Sequence, residues 1–442
     1  MVTGGPMVVD GTGSAMTAPT PTHRAIDAVW RIESARLIAG LARAYGDVGL
    51  AEDLAQDALI AALERWPETG IPDKPGAWLM TTAKHRAIDQ FRRGQRFRER
   101  AEELGRDIET RQEESALDVD PALDALDDDI GDALLRLIFA ACHPVLSMEA
   151  RVALTLRLLG GLATDEIARA FLVPEATVAQ RIVRAKRTLT AARVPFEVPE
   201  GAERAARLSS VLGVVYLIFN EGYAATAGDD LMRPGLCEDA MRLGRILAGL
   251  APDEPEVHGL LALMEIQASR ARARTGPTGE PILLLEQDRG RWDHLLIGRG
   301  LAALARAERL GGALGPYALQ AAIAACHARA RTADATDWGR IAALYDALAQ
   351  IAPSPVVELN RAVALGMAFG PEAGLELVDQ LADEPSLAGY HLLPAVRGDL
   401  LERLGRLDEA AGEFLRAAAL TRNVRERRVL SDRAATCLES TS

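Results

Sequence analysis

Apolar residues in this chain recur at intervals of three and four positions, which is the spacing of one face of an α-helix. The pattern predicts three helices between residues 23 and 98, and the apolar positions of the first are Ile26, Val29, Ile32, Leu37, Ile38 and Leu41. Aromatic residues make up only 4% of the 442 residues, whereas Ala, Leu and Arg are abundant. This composition favours packed helices over sheets. We therefore predict an all-α fold.

Composition also excludes several classes of protein. No stretch approaches the ~20 apolar residues that a membrane-spanning helix needs, so no membrane association is expected. Residues 1–22 lack the charged start and apolar core of a secretion signal and are predicted to form a disordered tail. The four cysteines are far apart and form no Cys-x-x-Cys pair, so we expect neither a metal site nor a disulfide framework. No cofactor is expected, and a cytoplasmic location fits this cysteine usage.

The charge of the chain is distributed in blocks. The net charge of −13 taken alone argues against a nucleic-acid-binding protein. However, residues 81–98 hold six basic side chains against one acidic one, and residues 151–193 hold eight against three. Between these basic blocks, residues 99–129 hold thirteen acidic side chains against three arginines. This organisation indicates two basic modules joined by an acidic linker, whose charge suits either a flexible spacer or a segment that resembles nucleic acid.

The first module, residues 23–98, carries an acidic helix followed by a basic one. The pattern places four polar residues of the second helix on its outer face: Glu52, Asp53, Gln56 and Asp57. Pro67 is predicted to end that helix, and the third begins near Gly76. In the third helix, Lys84, Arg86, Arg92 and Arg93 point away from the apolar side. Trp78 suits either the core of the module or a platform on which a base stacks.

The second module contains a predicted helix-turn-helix between residues 162 and 189. Thr164 is predicted to cap a short helix, and Pro174 begins a second helix of about 16 residues. The second helix has an apolar stripe of Val178, Ile182, Ala185 and Leu189 and an opposite polar face of Thr177, Gln180, Arg181, Arg184 and Arg187. Glutamine and arginine on such a helix reach base edges and phosphates in the major groove. A helical hairpin with a solvated basic face fits the same pattern.

Residues 200–442 have the character of a helical repeat domain. Leu404-Gly405-Arg406, Asp408-Glu409-Ala410 and Phe414 fit part of a tetratricopeptide pattern, with a weaker echo around Leu365-Gly366. Repeats of this kind expose a surface that binds a peptide or protein. Two polar motifs in this half have two interpretations. They suit helix capping and hydrogen bonding between helices, or they form a partner pocket. That pocket would include Asn220, Glu221, Tyr223, Asp288 and Arg289. No substrate is indicated, and we do not expect an enzyme.

Several motifs resemble those of extracytoplasmic-function sigma factors. The run from Glu52 to Asp57, Trp78-Leu79, and Ala83 to Arg93 resemble region 2 of that family, and Leu162 to Leu189 resembles region 4. Further segments resemble the subgroup with a large C-terminal tetratricopeptide-like extension: Phe139 to Pro144, Tyr216 to Tyr223, Thr336-Asp337-Trp338 and Ser354 to Leu365. The implied domains are region 2 at 23–98, an acidic linker at 99–129, region 4 at 130–195 and the extension at 200–442.

This resemblance implies a function and a role for each set of residues. A sigma factor lends promoter specificity to core RNA polymerase, with partners in the β′ clamp and the β subunit. Residues implied to bind the clamp helices are Glu52, Asp53, Gln56 and Asp57. Those implied to contact the −10 element are Lys84, His85, Arg86, Arg92 and Arg93, with His85 where the family often has asparagine. Those implied to contact the −35 element are Thr177, Gln180, Arg181, Arg184, Lys186 and Arg187.

Two other classes of protein remain as alternatives at this stage. A helix-turn-helix repressor would bind DNA without polymerase, but it has no use for the motif from Glu52 to Asp57. An enzyme housed in the C-terminal half would lose turnover on replacement of Glu221 or Asp288. The extension is expected to modulate the engagement of polymerase or promoter, so truncation near Pro199 is expected to change promoter-dependent transcription.

Overall fold

The computed structural model describes residues 21–104, 127–224, 232–276, 280–311, 314–421 and 423–441. These ranges contain eighteen α-helices and no β-strand, which confirms the predicted all-α fold. Contacts group the chain into two units, Met1–Pro121 and Ala122–Ser442. Residues 1–20 of the predicted tail and most of the acidic linker lie outside the described residues. Within the described ranges, no helix combines the length and apolar character needed to cross a lipid bilayer.

The first unit is a three-helix bundle. Its helices are α1 (Pro21–Tyr45), α2 (Val48–Thr69) and α3 (Pro75–Leu104). Gly46 has a φ of 68°, a left-handed conformation that allows the chain to reverse between α1 and α2. Asp47 then caps α2, since its Oδ1 accepts a hydrogen bond of 2.9 Å from the backbone N–H of Leu50. Ile38 and Leu54 are almost fully buried in the core between the helices.

Two details of the first unit differ from the sequence prediction. Pro67 does not end α2, which continues to Thr69. A proline in the last turn removes only one helical hydrogen bond, so the helix ends instead at Gly70, whose φ is 82°. Ile32, assigned to the apolar side of α1, is 66% exposed.

The described residues of the second unit form fifteen helices. These are α4 (Asp127–Ala141), α5 (Met148–Leu158), α6 (Thr164–Phe171), α7 (Glu175–Ala191), α8 (Gly201–Tyr223), α9 (Pro234–Leu250), α10 (Pro255–Ala268), α11 (His294–Leu310), α12 (Pro316–Arg329), α13 (Trp338–Ile351), α14 (Pro355–Phe369), α15 (Pro371–Gln380), α16 (Leu392–Arg403), α17 (Leu407–Leu420) and α18 (Val424–Thr441). Three short 3-10 turns, Ala271–Ala273, Leu284–Glu286 and Arg289–Arg291, lie between α10 and α11.

From α8 onward, most helices pack against their neighbours in the sequence, as stacked helical hairpins do. Close helix crossings depend on glycine at particular positions. A Cβ atom on Gly374 of α15 would meet the backbone oxygen of Ala362 in α14 at 2.7 Å. A Cβ atom on Gly398 of α16 would meet the ring of Phe414 in α17 at 2.7 Å. Phe414 itself is fully buried.

Replacing Gly398 by alanine tests this crossing. We expect the free energy of unfolding to fall by about 1–3 kcal/mol, because the methyl group overpacks the contact with Phe414. Gly412→Ala is the matched control, since Gly412 is an exposed helical glycine whose added Cβ would meet no atom within 4 Å. The control should gain up to about 1 kcal/mol from helix propensity. Urea denaturation of both variants measures the difference, and equal shifts would contradict this account.

Candidate DNA and polymerase interfaces

Helices α6 and α7 form the predicted helix-turn-helix. Three residues join them, and Leu172 adopts a left-handed conformation with a φ of 51°. The predicted apolar stripe of α7 is confirmed, since Val178, Ile182, Ala185 and Leu189 are all buried. Thr164 is not the N-cap of α6 but its first helical residue. The carboxylate of Glu166 instead accepts a hydrogen bond of 2.8 Å from the backbone N–H of Ala163.

The polar face of α7 points away from its buried stripe. Gln180, Arg184 and Arg187 are exposed, whereas Thr177, Arg181 and Lys186 are half-buried. Within the described part of the chain, neither Arg184 nor Arg187 forms an ion pair. Their guanidinium groups are therefore available to phosphates or base edges.

Val183 is a residue of this face that the sequence analysis missed. It is 44% exposed and lies three positions after Gln180 and four before Arg187. Residues at these intervals share one side of a helix. The spacing of Val183 from Gln180 and Arg187 could have placed it on this face from the sequence. An exposed aliphatic group at such a position suits contact with a thymine methyl group.

The acidic face of α2 contains three of the four predicted residues. Asp53 and Asp57 are exposed and Gln56 is half-buried. Glu52 is only 4% exposed, so its assignment to the outer face was wrong. The reason is geometric: Glu52 lies three positions before Ala55, which is fully buried, and so falls on the inner side of the helix.

An exposed apolar residue lies beside these acids. Ile60 is 51% exposed and follows Gln56 by four positions and Asp57 by three. An aliphatic side chain flanked by acidic ones is typical of a protein-binding surface, in which polar contacts surround an apolar centre. Ile60 was not predicted from the sequence, because its position fits both faces of the helix pattern.

Basic residues of α3 form a separate exposed surface. His85, Arg86 and Arg92 are exposed and Lys84 is half-buried, whereas the side chain of Arg93 lies outside the described ones. Trp78 packs edge-to-face against the buried Trp66, with ring centroids 5.2 Å apart. This contact favours the packing role over the base-stacking role for Trp78, because the ring helps to hold α3 against α2.

The five residues of the predicted C-terminal pocket make contacts within the fold. Asp288 is exposed and accepts a hydrogen bond of 2.9 Å from the backbone N–H of Gly290. Glu221 forms an ion pair with Arg233. Tyr223 stacks on Phe219 with ring centroids 5.6 Å apart, and the backbone oxygen of Asn220 receives the N–H that ends α8.

Arg289, the fifth of these residues, joins distant segments. Its Nη1 donates to the backbone oxygens of His327 and Ala330 at 2.6 and 2.8 Å, and its Nη2 donates to Thr336 Oγ1 at 3.0 Å. A cavity of about 530 Å³ in this half is lined by none of the five. Its wall includes Cys237 and Met241 of α9 and Ser269 after α10.

The helix-turn-helix module, α4 to α7, is attached to α8 by hydrogen bonds. Side chains of α8 donate to backbone oxygens of the module, and one side chain of the module donates to α8. Arg207 is 7% exposed, and its Nη2 donates to the backbone oxygen of Phe139 at 3.1 Å. Arg151 Nη1 donates to Ser210 Oγ at 2.6 Å, and that hydroxyl donates to the backbone oxygen of Cys142 at 2.8 Å. These contacts fix α8 against α4 and α5.

Helix α9 attaches to the same module in a similar way. Arg242 donates to the backbone oxygens of Leu159 and Gly160 at 3.2 and 3.0 Å. Arg233, which precedes α9, donates to the backbone oxygen of Ala170 in α6 at 2.5 Å. The roles of Arg233 and Arg242 were not predicted from the sequence, because hydrogen bonds between residues more than 60 positions apart leave no local pattern.

No metal-binding group was found in the described residues, where no three His, Cys, Asp or Glu side chains lie suitably close together. The four cysteines all lie in described segments, where they are buried and form no disulfide bond. Burial raises the pKa of Cys142 to about 11 despite a hydrogen bond between its Sγ and Thr155 Oγ1. A thiol with so high a pKa stays protonated and is a poor nucleophile or metal ligand.

Comparison with known families assigns these modules. Residues 32–97 match sigma-70 region 2, residues 136–189 match sigma-70 region 4, and residues 207–308 match a family of unknown function, DUF6596. The last match begins at Arg207, whose side chain holds α8 against the helix-turn-helix module. No solved structure matches the chain.

Two curated relatives extend this comparison. An uncharacterized protein of Rhizobium meliloti (strain 1021), R00370, is 45% identical over 389 residues, which are 87% of this chain and 89% of that protein. The probable ECF RNA polymerase sigma factor SigI of Mycobacterium tuberculosis (strain CDC 1551 / Oshkosh) is 30% identical over 183 residues. That match covers 41% of this chain and 60% of SigI.

A region 2 bundle followed by a region 4 helix-turn-helix defines the sigma-70 class of transcription initiation factors. Families of this class are not enzymes. The chain belongs to the extracytoplasmic-function sigma factors and carries a C-terminal extension. The resemblance to extracytoplasmic-function sigma factors with a C-terminal extension is confirmed, whereas the tetratricopeptide-like character of that extension stays a prediction.

Proposed function

We propose that this sigma factor recruits core RNA polymerase through α2 and recognises promoters through α3 and α7. The observation that carries the proposal is the exposed face of α7, where Gln180, Arg184 and Arg187 surround Val183 while the opposite side of the helix is buried. In this proposal α7, with one polar exposed face and one buried face, enters the major groove. Its polar side chains then meet base edges and phosphates of the −35 element. Thr177, Arg181 and Lys186 extend the same contact surface.

The polymerase-binding surface in this proposal is the exposed acidic face of α2. Asp53 and Asp57 supply negative charge, while Gln56 and Ile60 supply a hydrogen-bonding group and apolar area. Such a face complements the clamp helices of β′ if these present basic and apolar side chains. Because Glu52 is buried, we assign it to the packing of α2 and not to direct contact with polymerase.

Charge reversal on α2 tests this surface. Asp53→Lys combined with Asp57→Lys should weaken binding to core polymerase by at least about 10-fold, since like charges across an interface repel and lost contacts cost energy. Asp27→Lys is the control, because Asp27 is an exposed acid of α1 in the same unit. Co-purification and titration with labelled core enzyme measure the affinities, and equal binding by all three proteins would refute the assignment.

The −10 element is assigned to α3. Opening a duplex costs a few kcal/mol per unstacked base, and capture of flipped bases by protein offsets this cost. Lys84, Arg86, Arg92 and Arg93 would hold the backbone of the opened strand, and His85 would contribute to base preference. Core polymerase is needed to open the promoter in this proposal, whereas a repressor would leave a footprint on its DNA alone.

The C-terminal extension is proposed to modulate transcription by fixing the position of the helix-turn-helix module. Support comes from Arg207 and Arg242, which bind backbone oxygens of that module while the face of α7 stays exposed. The extension would therefore act without covering the DNA-binding face. In vitro transcription with core polymerase, run on many promoters with the wild type and with variants of these arginines, is the decisive experiment. Unchanged output across promoters and salt concentrations would reject modulation.

A further inference from the structure

Three sequence motifs that the sigma function does not explain meet in one place. They are Phe219 to Tyr223 at the end of α8, Glu286 to Asp293 before α11, and Thr336 to Trp338 before α13. The structure connects them through an arginine–aromatic cluster, which we define as Tyr223, Arg270, Arg274, Arg289, Trp292 and His327.

The cluster is held by contacts between guanidinium groups and aromatic rings. Arg270 Cζ lies 5.9 Å from the ring centroid of Tyr223 and 5.7 Å from that of Trp292. Arg289 Cζ lies 5.1 Å from the Trp292 centroid, and Arg274 Cζ lies 3.8 Å from the Tyr223 centroid. His327 accepts a hydrogen bond from Arg289 through its backbone oxygen and packs its ring on Trp338.

In the described part of the chain, no carboxylate forms an ion pair with these arginines. Among the described residues, Arg270, Arg274 and Arg289 form no ion pair, and the acceptors of their hydrogen bonds are uncharged. Glu426, whose charge reaches Arg274, is itself bound by His391 and Thr421. Elsewhere in the extension a comparable arginine has acidic partners, as Arg433 has in Asp399 and Glu402.

The positive charge of the cluster contributes to lowering the pKa of two of its residues, His327 and Arg289. Burial, followed by the charges of Arg270 and Arg289, lowers the pKa of His327 to about 4. Burial and the charge of Arg270 also lower the pKa of Arg289. These arginines are half-buried, and positive charge that is partly removed from water without an ion-pair partner is costly, so an anion would relieve that cost.

Buried hydrogen-bonding atoms in the cluster also lack partners. These are Nε of Arg270, Nε of Arg289, Nε1 of Trp292 and Nδ1 of His327. Trp292 is only 4% exposed and His327 only 8%, so water does not readily reach them. A buried donor without an acceptor costs about 1–3 kcal/mol. The two arginine Nε–H groups and the indole N–H of Trp292 are such donors, and together they point to an acceptor that is not part of the protein.

A cavity that could hold the rest of a ligand is lined by sequence neighbours of the cluster, although by none of its six residues. The cavity of about 530 Å³ is lined by Ser269 and Ala271, which flank Arg270, and by Asp293, which follows Trp292. Met241 and Leu296 contribute apolar wall. The volume is in the range of cavities that bind small molecules, about 300–1,000 Å³.

We propose that the arginine–aromatic cluster binds the oxyanion of a small molecule, a phosphoryl or carboxylate group, whose remaining part occupies the adjacent cavity. Planar guanidinium groups bind both kinds of oxyanion through paired N–H donors. The indole N–H of Trp292 would supply a further donor. Helix α8 connects this site to region 4, because Tyr223 ends the helix and Arg207 lies in its first half.

Binding can be measured on the full-length protein without polymerase or DNA, so the result is independent of the proposed sigma function. The probes are inorganic phosphate and malonate, titrated at constant ionic strength against sodium chloride. At least one probe should raise the melting temperature with saturation and change the fluorescence of the protein, which has five tryptophans. Saturation by phosphate alone or by malonate alone would identify the preferred oxyanion.

Three variants locate the site. Arg270→Gln should weaken binding at least 10-fold, while the exposed Arg291→Met, in the same 3-10 turn as Arg289, should bind like the wild type. Arg184→Ala combined with Arg187→Ala should also retain binding, which excludes the DNA-binding face as the anion site. Absence of saturable stabilisation by either probe in the wild type would overturn the proposal. Equal affinity in Arg270→Gln and Arg291→Met would overturn it as well.

Discussion

Replacing both Arg184 and Arg187 by alanine is expected to lower promoter-dependent transcription by about 10²- to 10³-fold. Each contact with a base or phosphate contributes about 1–3 kcal/mol, and this variant removes two of them. Both side chains are exposed, so the fold should not change. In vitro transcription with core polymerase measures the effect, and the salt dependence of promoter binding should weaken as phosphate contacts are lost.

Arg169→Ala is the matched control for this experiment. Arg169 belongs to the same module, and its side chain is 68% exposed in an ion pair with Asp165 on α6. An exposed pair of this kind contributes little to stability, so the control should transcribe like the wild type. Wild-type transcription from the double variant would show that α7 does not read the promoter.

The second large effect is expected at the contact between region 4 and the extension. Replacing Arg207 and Arg242 by methionine should lower the free energy of unfolding by about 2–5 kcal/mol. The backbone oxygens of Phe139, Leu159 and Gly160 would lose their donors in a poorly solvated interface. Because typical stabilities are only about 5–15 kcal/mol, this loss should be visible in denaturation curves. Hydrogen exchange should also become faster in α4 and α5 than in α16 to α18.

Arg204→Met is the control on α8, since Arg204 forms only a partly exposed ion pair with Glu254 at 3.2 Å. It should change stability by less than about 1 kcal/mol. If the double variant keeps the stability and exchange protection of the wild type, the arginines do not hold region 4. If it loses stability but transcribes normally from every promoter, region 4 works without a fixed extension and the proposed modulation fails.

Local sequence was sufficient for the features that depend on helix periodicity. The stripe of Val178, Ile182, Ala185 and Leu189 was predicted correctly, because a side chain on a short amphipathic helix is buried or exposed according to its position around the axis. Glu52 shows where this reasoning becomes inaccurate. Its charge suggested exposure, but its place beside Ala55 determined that it faces inward.

Other features depend on residues that are far apart in the chain. Asp288 and Arg289 are adjacent, yet the first is an exposed cap, whereas the second contacts the ring of Trp292 and donates to the backbone oxygen of His327 and to Thr336 Oγ1. A polar motif shows that its side chains will need partners, but not which segments provide them. Only the packing of the helices selects those segments.

The sequence by itself determined the helical class, the two basic modules and the polar face of α7, since each follows from spacing and charge within one helix. Tertiary structure alone decided that Arg207 and Arg242 hold region 4 and that, among the described residues, Arg270, Arg274 and Arg289 gather without an ion-pair partner. The physical reason is range: helix periodicity is set by neighbours within one or two turns, whereas buried hydrogen bonds and charge balance depend on which distant helices come into contact.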